Sequence, residues 1–225
     1  MERVYSVAID GPSGAGKSTL AKECARRFGF LYVDTGAIYR TVGLAAKRSG
    51  IAVEDADEVL PLLPSLDVDL RHAEDGQHMF LFNEDVNGLI RTPEISSYAS
   101  KVSAIAGVRT FLMEMQRSLA RKHSVIMDGR DIGTVVLPNA DIKVFLTASA
   151  EARAKRRLLE LEEKGQHFSF EEILRDMRER DERDSQREAA PLKCAEDAVL
   201  LDTTALTLEE SIAALCKLID GVVKP

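Results

Sequence analysis

The stretch Tyr5-Ser-Val-Ala-Ile-Asp-Gly-Pro-Ser-Gly-Ala-Gly-Lys-Ser-Thr19 decides the fold of this 225-residue chain. An apolar run is followed by the pattern GxxxxGK[ST], with a strand signal before it and a helix signal after it. Glycines allow successive backbone N–H groups to turn inward around an anion, the lysine can reach the β and γ phosphates, and the serine hydroxyl can ligate Mg²⁺. We therefore predict a nucleoside triphosphate site at Gly11, Ser13, Gly14, Ala15, Gly16, Lys17, Ser18 and Thr19, with Ser18 as a metal ligand.

Five apolar runs have the length of buried strands, and helical patterns lie between them. This alternation predicts an α/β fold with a parallel sheet. The runs end on the polar residues Asp10, Asp34, Asp128, Thr147 and Asp202. Ligands of such sheets lie beyond the carboxyl ends of the strands, so some of these side chains should face a site. For Asp10 and Asp202, capping of a neighbouring helix or turn is the alternative.

A second periodicity interrupts this pattern. Leu66, Val68 and Leu70 alternate with polar residues, the run Met79–Phe82 follows, and Asn83-Glu-Asp85 and Asn87-Gly88 are turn signals. These features predict a small antiparallel β insertion within the parallel fold.

Several helices can be placed by their end signals. Thr92-Pro93 predicts a helix start, Gly107 a break, and a following helix is expected to bury Val108, Phe111, Met115 and Leu119. The capping box Thr207-x-x-Glu210 predicts a C-terminal helix with Leu208, Ile212, Leu215 and Ile219 inward.

A charged segment lies between the last two strands. Ser169-x-x-Glu172 predicts a helix start, and the spacing beyond it places one carboxylate and three guanidiniums on one face, those of Arg180, Arg183, Asp184 and Arg187. Such a face suits either an anion site or a ladder of salt bridges.

Composition limits the function classes. The net charge of -7 disfavours a general nucleic-acid binder. Residues 1–50 carry 8 basic and 4 acidic side chains, against 2 and 11 in residues 51–100, so the end with the phosphate loop is locally positive. The cysteines Cys24, Cys194 and Cys216 are widely spaced, which argues against a disulfide framework or a zinc site. With no membrane-spanning apolar run, we expect a cytoplasmic protein without a membrane partner.

Single arginines at the ends of elements suggest that a second anion is bound. These are Arg40, Arg109, Arg130 and Arg187. The chain lacks an Asn-Lys-x-Asp guanine motif and a Leu-Ser-Gly-Gly-Gln signature, which sets aside two other classes of phosphate-loop protein.

At this point the sequence resembles the bacterial cytidylate kinase family. The resemblance covers essentially the whole chain and rests on Gly11–Lys17, Asp34-Thr-Gly-Ala-Ile-Tyr-Arg40, Ile90-Arg-Thr92, Asp128-Gly-Arg-Asp131 and Arg180-Asp-x-Arg-Asp184 through Arg187. It implies a five-stranded parallel sheet flanked by helices, the P-loop kinase fold, with a small antiparallel β insertion and a helical lid. One domain, residues 1–225, would comprise a core (1–35, 101–149 and 188–225), an acceptor-binding subdomain (36–100) and a lid (150–187).

The resemblance also implies the chemistry, which is transfer of a phosphoryl group from ATP, with Mg²⁺, to CMP or dCMP. Lys17, Arg40, Arg130 and Arg187 would be catalytic, and the three arginines would hold the acceptor phosphate. Ser100, Arg109 and Asp131 would read the cytosine, while Arg180 and Asp184 would meet the ribose. Thr35 occupies a substrate-binding position where many members have serine. We expect a monomer.

Two alternatives remain open at the level of sequence. One is a P-loop kinase of another small acceptor, such as a shikimate-type hydroxyl compound, and the other is a non-catalytic nucleotide-dependent binding module. The sequence does not rank CMP, dCMP and UMP, nor does it assign roles to Arg153, Arg156 and Arg157.

Overall fold

The computed structural model describes residues 3–53, 55–74, 76–163 and 165–223. Within these ranges the elements are, in chain order, β1 (Ser6–Asp10), α1 (Lys17–Phe28), β2 (Leu31–Asp34), α2 (Thr35–Arg48), α3 (Ala56–Val59), β3 (Val68–Ala73), β4 (Gly76–Leu81), β5 (Glu84–Asp85), α4 (Pro93–Val102), α5 (Ala106–Lys122), β6 (Val125–Gly129), β7 (Ile142–Thr147), α6 (Ala150–Glu163), α7 (Phe170–Gln186), β8 (Val199–Asp202) and α8 (Leu208–Asp220). A 3₁₀ turn spans Leu60–Ser65 and a π turn spans Ile132–Val136.

The main sheet has five parallel strands in the order β2-β6-β1-β7-β8. This confirms the predicted sheet. The strand β1 lies at its centre, between β6 and β7, because the chain first winds to one side of β1 and later crosses to the other. A reversal of this kind opens a crevice at the carboxyl ends of the strands. The loop after β1 therefore lies where an α/β sheet binds ligands.

The insertion is a three-stranded antiparallel sheet of β3, β4 and β5, as predicted. It is joined to the edge strand β2 by side chains. Gln77 accepts a hydrogen bond from the Asp34 N–H at 2.7 Å and donates one to the Asp34 carbonyl at 3.2 Å, while His72 Nε2 lies 3.0 Å from the Tyr32 carbonyl oxygen. Because these side chains satisfy backbone groups that a further strand would pair, they fix the insertion against the end of β2.

Apolar side chains pack on both faces of the parallel sheet. The larger cluster continues from Val33 and Met127 into the insertion at Val68 and Met79, so both sheets share one core. A second cluster joins α1 and α8 to the other face, and the α6/α7 hairpin has a small cluster of its own. In the parts of the chain that the structure describes, no helix is long and apolar enough to cross a membrane.

The break predicted at Gly107 is in the wrong place. The helix α4 ends at Val102, and Gly107 lies in the first turn of α5. A Cβ atom at this position would lie 2.3 Å from Leu60 Cδ2, so the glycine permits close packing and does not end a helix. The predicted face of α5 is confirmed at Val108, Met115 and Leu119, which belong to or pack against the core, and is wrong at Phe111. Phe111 is exposed, and the buried residues are Val108, Arg109, Leu112 and Gln116.

The prediction for α8 is wrong at one position. The helix begins with the predicted capping box and buries Leu215 and Ile219, but Leu208 is 49% exposed. Leu208 belongs to the first turn of α8 and lines the cavity described below. The helix α3 is followed directly by the 3₁₀ turn, which continues to Ser65.

Candidate functional site

The loop between β1 and α1 has the geometry of an anion cradle. Gly14 and Gly16 have positive φ angles of 73° and 88°, a conformation that glycine adopts at little cost. Gly16 caps α1 without a side-chain hydrogen bond, so the first N–H groups of the helix have no side-chain partner at the cap. The positive end of the helix dipole and these N–H groups suit a phosphate group.

Lys17 lies within this cradle and is buried. Its Nζ donates hydrogen bonds to the carbonyls of Gly11 and Pro12 at 2.8 and 2.7 Å. Burial lowers the pKa of Lys17, and the nearby Arg130 guanidinium lowers it further. A lysine in this state is stabilised by any anion that enters the cradle.

The serine of the loop is tied to a carboxylate. Ser18 Oγ donates to Asp128 Oδ2 at 2.8 Å, and the Tyr32 hydroxyl donates to Asp128 Oδ1 at 3.1 Å. Burial raises the pKa of Asp128 to about 6, and repulsion from Asp34 adds to this shift. A hydroxyl and a carboxylate side by side, next to a phosphate cradle, are oxygen donors of the kind that Mg²⁺ prefers.

Arg40 lies on α2, across the cavity from the loop. Its Nη2 forms an ion pair with Asp34 Oδ2 at 2.8 Å, and its buried Nε has no hydrogen-bond partner among the described residues. Asp34 also caps α2 by accepting a hydrogen bond from the Ala37 N–H, so one carboxylate positions both the helix and the guanidinium. Thr35, at the start of the same helix, donates its hydroxyl hydrogen to the Asp128 carbonyl at 2.7 Å.

A buried ion-pair network connects α5 to the loop after β6. Asp131 binds the guanidinium of Arg109 and lies 3.3 Å from Arg187 Nη2. All three side chains are 5–6% exposed. Arg109 also donates to the Ser103 carbonyl and lies 5.5 Å from the centre of the Tyr39 ring. Burial lowers the pKa of Arg187, and the Arg109 charge contributes to this.

A second ion pair joins the same loop to α7. Arg130 Nε donates to Asp184 Oδ2 at 2.8 Å. Although burial alone would raise the pKa of Asp184, the charges of Arg130 and Arg180 hold it below its usual value. Burial and the charge of Arg130 lower the pKa of Arg180 to about 10, and its Nε has no partner in the described parts of the chain. Arg183 faces solvent, so its predicted place on this face is wrong.

These groups meet in one cavity of about 650 Å³. Such a volume is within the range of small-molecule sites. Every predicted site residue except Gly11 lines the cavity, namely Ser13, Gly14, Ala15, Gly16, Lys17, Ser18, Thr19, Thr35, Arg40, Ser100, Arg109, Arg130, Asp131, Arg180, Asp184 and Arg187. Gly11 has another reason to be glycine, because a Cβ atom there would lie 1.9 Å from the Leu146 carbonyl oxygen.

The cavity continues past the phosphate loop into a region that sequence reasoning missed. This end is lined by Arg156, Leu159, Glu160, Glu163, Thr203, Leu206, Thr207, Leu208 and Ser211. Leu159 is 53% exposed, which together with Leu208 gives this end an apolar surface beside hydroxyl and charged groups. The signal available in the sequence was Leu159, an apolar residue on an otherwise polar helix face.

Of the five strand-end residues, Asp10 and Asp202 cap turns, and Asp34 caps α2 as described above. Asp10 accepts hydrogen bonds from the N–H groups of Ile132 and Gly133 at 2.7 Å, and thereby fixes the π turn. Asp202 is exposed and accepts from the Thr204 N–H. Asp128 and Asp34 line the cavity, as expected for some of the strand-end side chains, although neither was assigned a particular role. Their signal was their position at the ends of the strands that flank the crevice.

The fold and this site define a class of protein. A parallel sheet with a phosphate-binding loop after its central strand, and with a cluster of arginines in the same cavity as that loop, is typical of a nucleotide phosphotransferase of the P-loop kinase type.

Comparison with known proteins gives the family. Residues 7–221 match the cytidylate kinase family. The chain is 48% identical over 219 residues to the cytidylate kinase of Caldicellulosiruptor bescii, with 97% of each chain covered. It is 48% identical over 213 residues to that of Carboxydothermus hydrogenoformans, covering 95% of this chain and 96% of the relative. The chain belongs to the cytidylate kinase family.

A solved structure with a less similar sequence shares the fold. An uncharacterized protein from Eubacterium ventriosum is 14% identical, covers 96% of this chain and 98% of its own, and has a TM-score of 0.50. A shikimate kinase from Bacteroides thetaiotaomicron is also 14% identical with the same coverage, at a TM-score of 0.48. This degree of likeness carries no information about the acceptor.

Proposed function

We propose that this protein is a CMP and dCMP kinase, which transfers the γ-phosphoryl group of ATP to the phosphate of the acceptor nucleotide. The observation that carries this proposal is the single cavity, in which a phosphate cradle at Lys17 faces two groups of buried arginines. Two anion sites in one cavity suit a reaction in which both partners are phosphates. Membership of the cytidylate kinase family supports cytosine as the base.

The donor phosphates are assigned to the loop from Gly11 to Thr19. Its backbone N–H groups and the Lys17 ammonium hold the β and γ phosphates. The end of the cavity between Leu159 and Leu208 is open to the donor base, since it begins beside the loop and offers apolar surface. The family supports ATP as the donor.

A divalent metal fits beside Ser18. Among the described residues no group of three or more His, Cys, Asp or Glu side chains can hold a metal ion alone, and Mg²⁺ in nucleotide sites usually takes one or two protein oxygens together with substrate phosphates. The hydroxyl of Ser18 and the carboxylate of Asp128, 2.8 Å apart, supply this donor set. When bound, Mg²⁺ neutralises charge on the phosphates. We assign Asp128 as the second ligand.

The acceptor is assigned to the facing wall of the cavity. Arg40, Arg130 and Arg187 hold its phosphate, and Ser100, Arg109 and Asp131 meet the cytosine, whose amine is a donor and whose ring nitrogen and carbonyl are acceptors. Arg180 and Asp184 meet the ribose. Thr35 contributes through its hydroxyl oxygen, which can still accept a hydrogen bond after donating to Asp128.

Catalysis follows from charge and position. The second phosphate pKa of a nucleoside monophosphate is about 6, so the attacking oxygen is largely ionised near neutral pH and needs no strong base. The obstacle is the approach of two anions. Lys17, Arg180 and Arg187 have pKa values lowered by burial and by neighbouring cations, so their charges are poised to stabilise added negative charge. A lid formed by residues 150–187 excludes water, which otherwise accepts the phosphoryl group.

The test is ADP release by the purified protein from Mg-ATP, in parallel reactions with CMP, dCMP, UMP, AMP, GMP and shikimate. We expect strong stimulation by CMP and dCMP. Stimulation by shikimate alone would support the hydroxyl-acceptor kinase, which the family assignment does not favour. Tight nucleotide binding with no stimulation by any acceptor would support the non-catalytic module.

We further propose a cytoplasmic monomer. Cys24, Cys194 and Cys216 are free thiols, which suits a reducing compartment. The phosphate-binding loop and the arginines assigned to the acceptor line one cavity of a single chain, which supports a site that one copy can form. Light scattering during size-exclusion chromatography measures the mass directly, and a mass near twice 24.8 kDa would contradict the monomer.

A further inference from the structure

Arg153 has no assigned role, yet it connects three parts of the fold. It lies on α6 and is 5% exposed. Its Nε donates to the Ala148 carbonyl at 2.9 Å, its Nη1 donates to the Ser13 carbonyl at 2.9 Å, and its Nη2 lies 2.7 Å from Asp181 Oδ2. One guanidinium therefore joins the segment after β7, the phosphate-binding loop and α7.

Apolar packing supports the same contact. A Cβ atom added to Gly14 would lie 2.8 Å from Met177 Cε and 3.4 Å from Arg153 Cβ. The backbone of the phosphate loop is therefore pressed against both helices of the α6/α7 hairpin. Because Gly14 has no side chain, the loop can approach the hairpin this closely.

Arg153 differs from the arginines that face the cavity. Each of its three guanidinium nitrogens already has a protein acceptor, and the residue does not line the cavity. In Arg40 and Arg180, by contrast, the buried Nε has no partner among the described residues. This contrast separates a residue that binds protein from residues that are available to a ligand.

The partner of Arg153 on α7 sits between two site residues. Asp181 follows Arg180 and precedes Asp184 by three positions, and successive helical residues are rotated by about 100°. An ion pair at Asp181 therefore fixes the rotation of α7 about its axis. That rotation decides whether Arg180 and Asp184 face the cavity.

We propose that Arg153 is a positioning residue that holds the α6/α7 hairpin in register with the phosphate-binding loop. It acts through Ser13 on the donor side and through Asp181 on the arginine side, so the donor phosphates and the charges that stabilise transfer are aligned by one side chain. A displacement of about 1 Å in such an alignment can lower a rate about 10²-fold. This inference rests on the proposed function, because the transfer rate is its main readout.

The experiment compares Arg153→Met, Arg153→Lys and Asp181→Asn with the matched control Arg157→Met. Arg157 is on the same helix, more exposed, and paired with Glu160 at the surface. For each variant, kcat, KM for both nucleotides, and the ratio of ADP to CDP formed are measured. Misaligned charges slow transfer without removing a ligand contact, and a displaced hairpin admits water.

We expect Arg153→Met to lower kcat about 10- to 100-fold, to change each KM less than about threefold, and to form more ADP than CDP. Arg153→Lys should fail in the same way, because one ammonium cannot span three separated acceptors. Asp181→Asn should show a smaller defect of the same kind. The double variant that carries both Arg153→Met and Asp181→Asn should have a kcat no lower than that of Arg153→Met alone, since the two residues act as a unit. Arg157→Met should resemble the wild type.

Other outcomes overturn the inference. A KM for ATP raised more than about tenfold at unchanged kcat would make Arg153 a ligand contact. A lowered melting temperature with normal kcat and equal ADP and CDP would make it a structural ion pair. If Arg153→Met does not fold, Asp181→Asn decides the question, because its side chain is 22% exposed and its loss leaves the other Arg153 bonds in place.

Hydrogen exchange without nucleotide separates this inference from the proposed function. Loss of the Arg153 contacts should speed exchange both in residues 11–16 and in α7, whether or not the protein is a kinase. A wild-type protein with no CMP-dependent ADP release would reject the function alone. If Arg153→Met exchanges at the wild-type rate in both segments, the positioning role is rejected and the proposed function is not affected.

Discussion

Asp131→Asn removes the negative charge from the buried network of Asp131, Arg109 and Arg187. The three side chains are 5–6% exposed, so solvent screens their interactions weakly. At an effective dielectric constant of about 20, two unit charges 4 Å apart interact by about 4 kcal/mol. Removing one partner of a buried pair costs about 3–5 kcal/mol. Because asparagine keeps one acceptor oxygen, we expect a loss of about 3 kcal/mol in the free energy of unfolding.

That loss can be measured as a melting temperature. For a chain of this size, about 1 kcal/mol corresponds to about 2–4 °C, so the variant should melt about 6–12 °C below the wild type. A saturating concentration of CMP should raise the melting temperature of both proteins, and should raise it less in the variant, since the variant has lost a hydrogen bond to the cytosine amine. Differential scanning calorimetry with and without CMP gives both values.

The same substitution should alter base selectivity. A carboxylate accepts from the cytosine amine and repels the uracil carbonyl, whereas an amide can accept from the former or donate to the latter. A hydrogen bond to a charged group is worth about 1.5–3 kcal/mol, so the ratio of kcat/KM for CMP to that for UMP should fall about 10- to 100-fold. Steady-state kinetics well below the melting temperature measures the ratio.

Asp184→Asn is the matched control. Asp184 is also buried and paired, with Arg130, but it is assigned to the ribose and should leave the ratio nearly unchanged. If Asp131→Asn lowers the melting temperature and the CMP to UMP ratio stays at the wild-type value, Asp131 is only the counter-charge of Arg109 and the base assignment is wrong. A ratio that falls equally in both variants would show a general loss of acceptor order.

The remaining predictions concern Lys17 and Asp10. Lys17→Met should lower turnover about 10²- to 10³-fold, because the transferred phosphoryl group loses a neighbouring positive charge; ADP release measures this. The melting temperature should stay within about 2 °C of the wild type, since burial and Arg130 already disfavour the ammonium; calorimetry measures it. Burial raises the pKa of Asp10 from 3.8 to about 6, although the hydrogen bonds from the Gly133 and Ile132 N–H groups oppose this shift, so folding takes up a proton between these pH values. The stability contributed by Asp10 is therefore greatest at low pH and is lost as pH rises through 6. Relative to Asp10→Asn, the wild type should lose about 1.4 kcal/mol of its free energy of unfolding between pH 5 and 7.5, as measured by urea unfolding. A difference between the two proteins that does not change with pH would contradict the raised pKa.

Much of the fold was predictable because it is encoded locally. The glycines of the phosphate loop, the alternation of residues 66–70 and the Thr207 capping box each specify a structure within a few residues. The errors occurred where packing overrode a local signal. Glycine often breaks a helix, yet Gly107 lies in the first turn of α5, where it packs closely against the Leu60 side chain.

The candidate site was predictable in composition but incomplete in arrangement. The arginines were found because charged residues at element ends are unusual in an apolar pattern. Asp128 and Arg153 were not placed, because their roles depend on contacts 110 and 140 residues away, with Ser18 and Ser13. No spacing along the chain carries that information.

The sequence by itself predicted a triphosphate site, a parallel sheet and a set of arginines for a second anion, and the sheet is confirmed. These properties depend on backbone conformation and on periodicity, which act over short distances. Only the tertiary structure decided which charges face one another. Ion pairs such as Arg109 with Asp131 and Arg130 with Asp184 form between distant segments, and their energies depend on burial and on separations of a few ångströms, which exist only after the sheet and helices have packed.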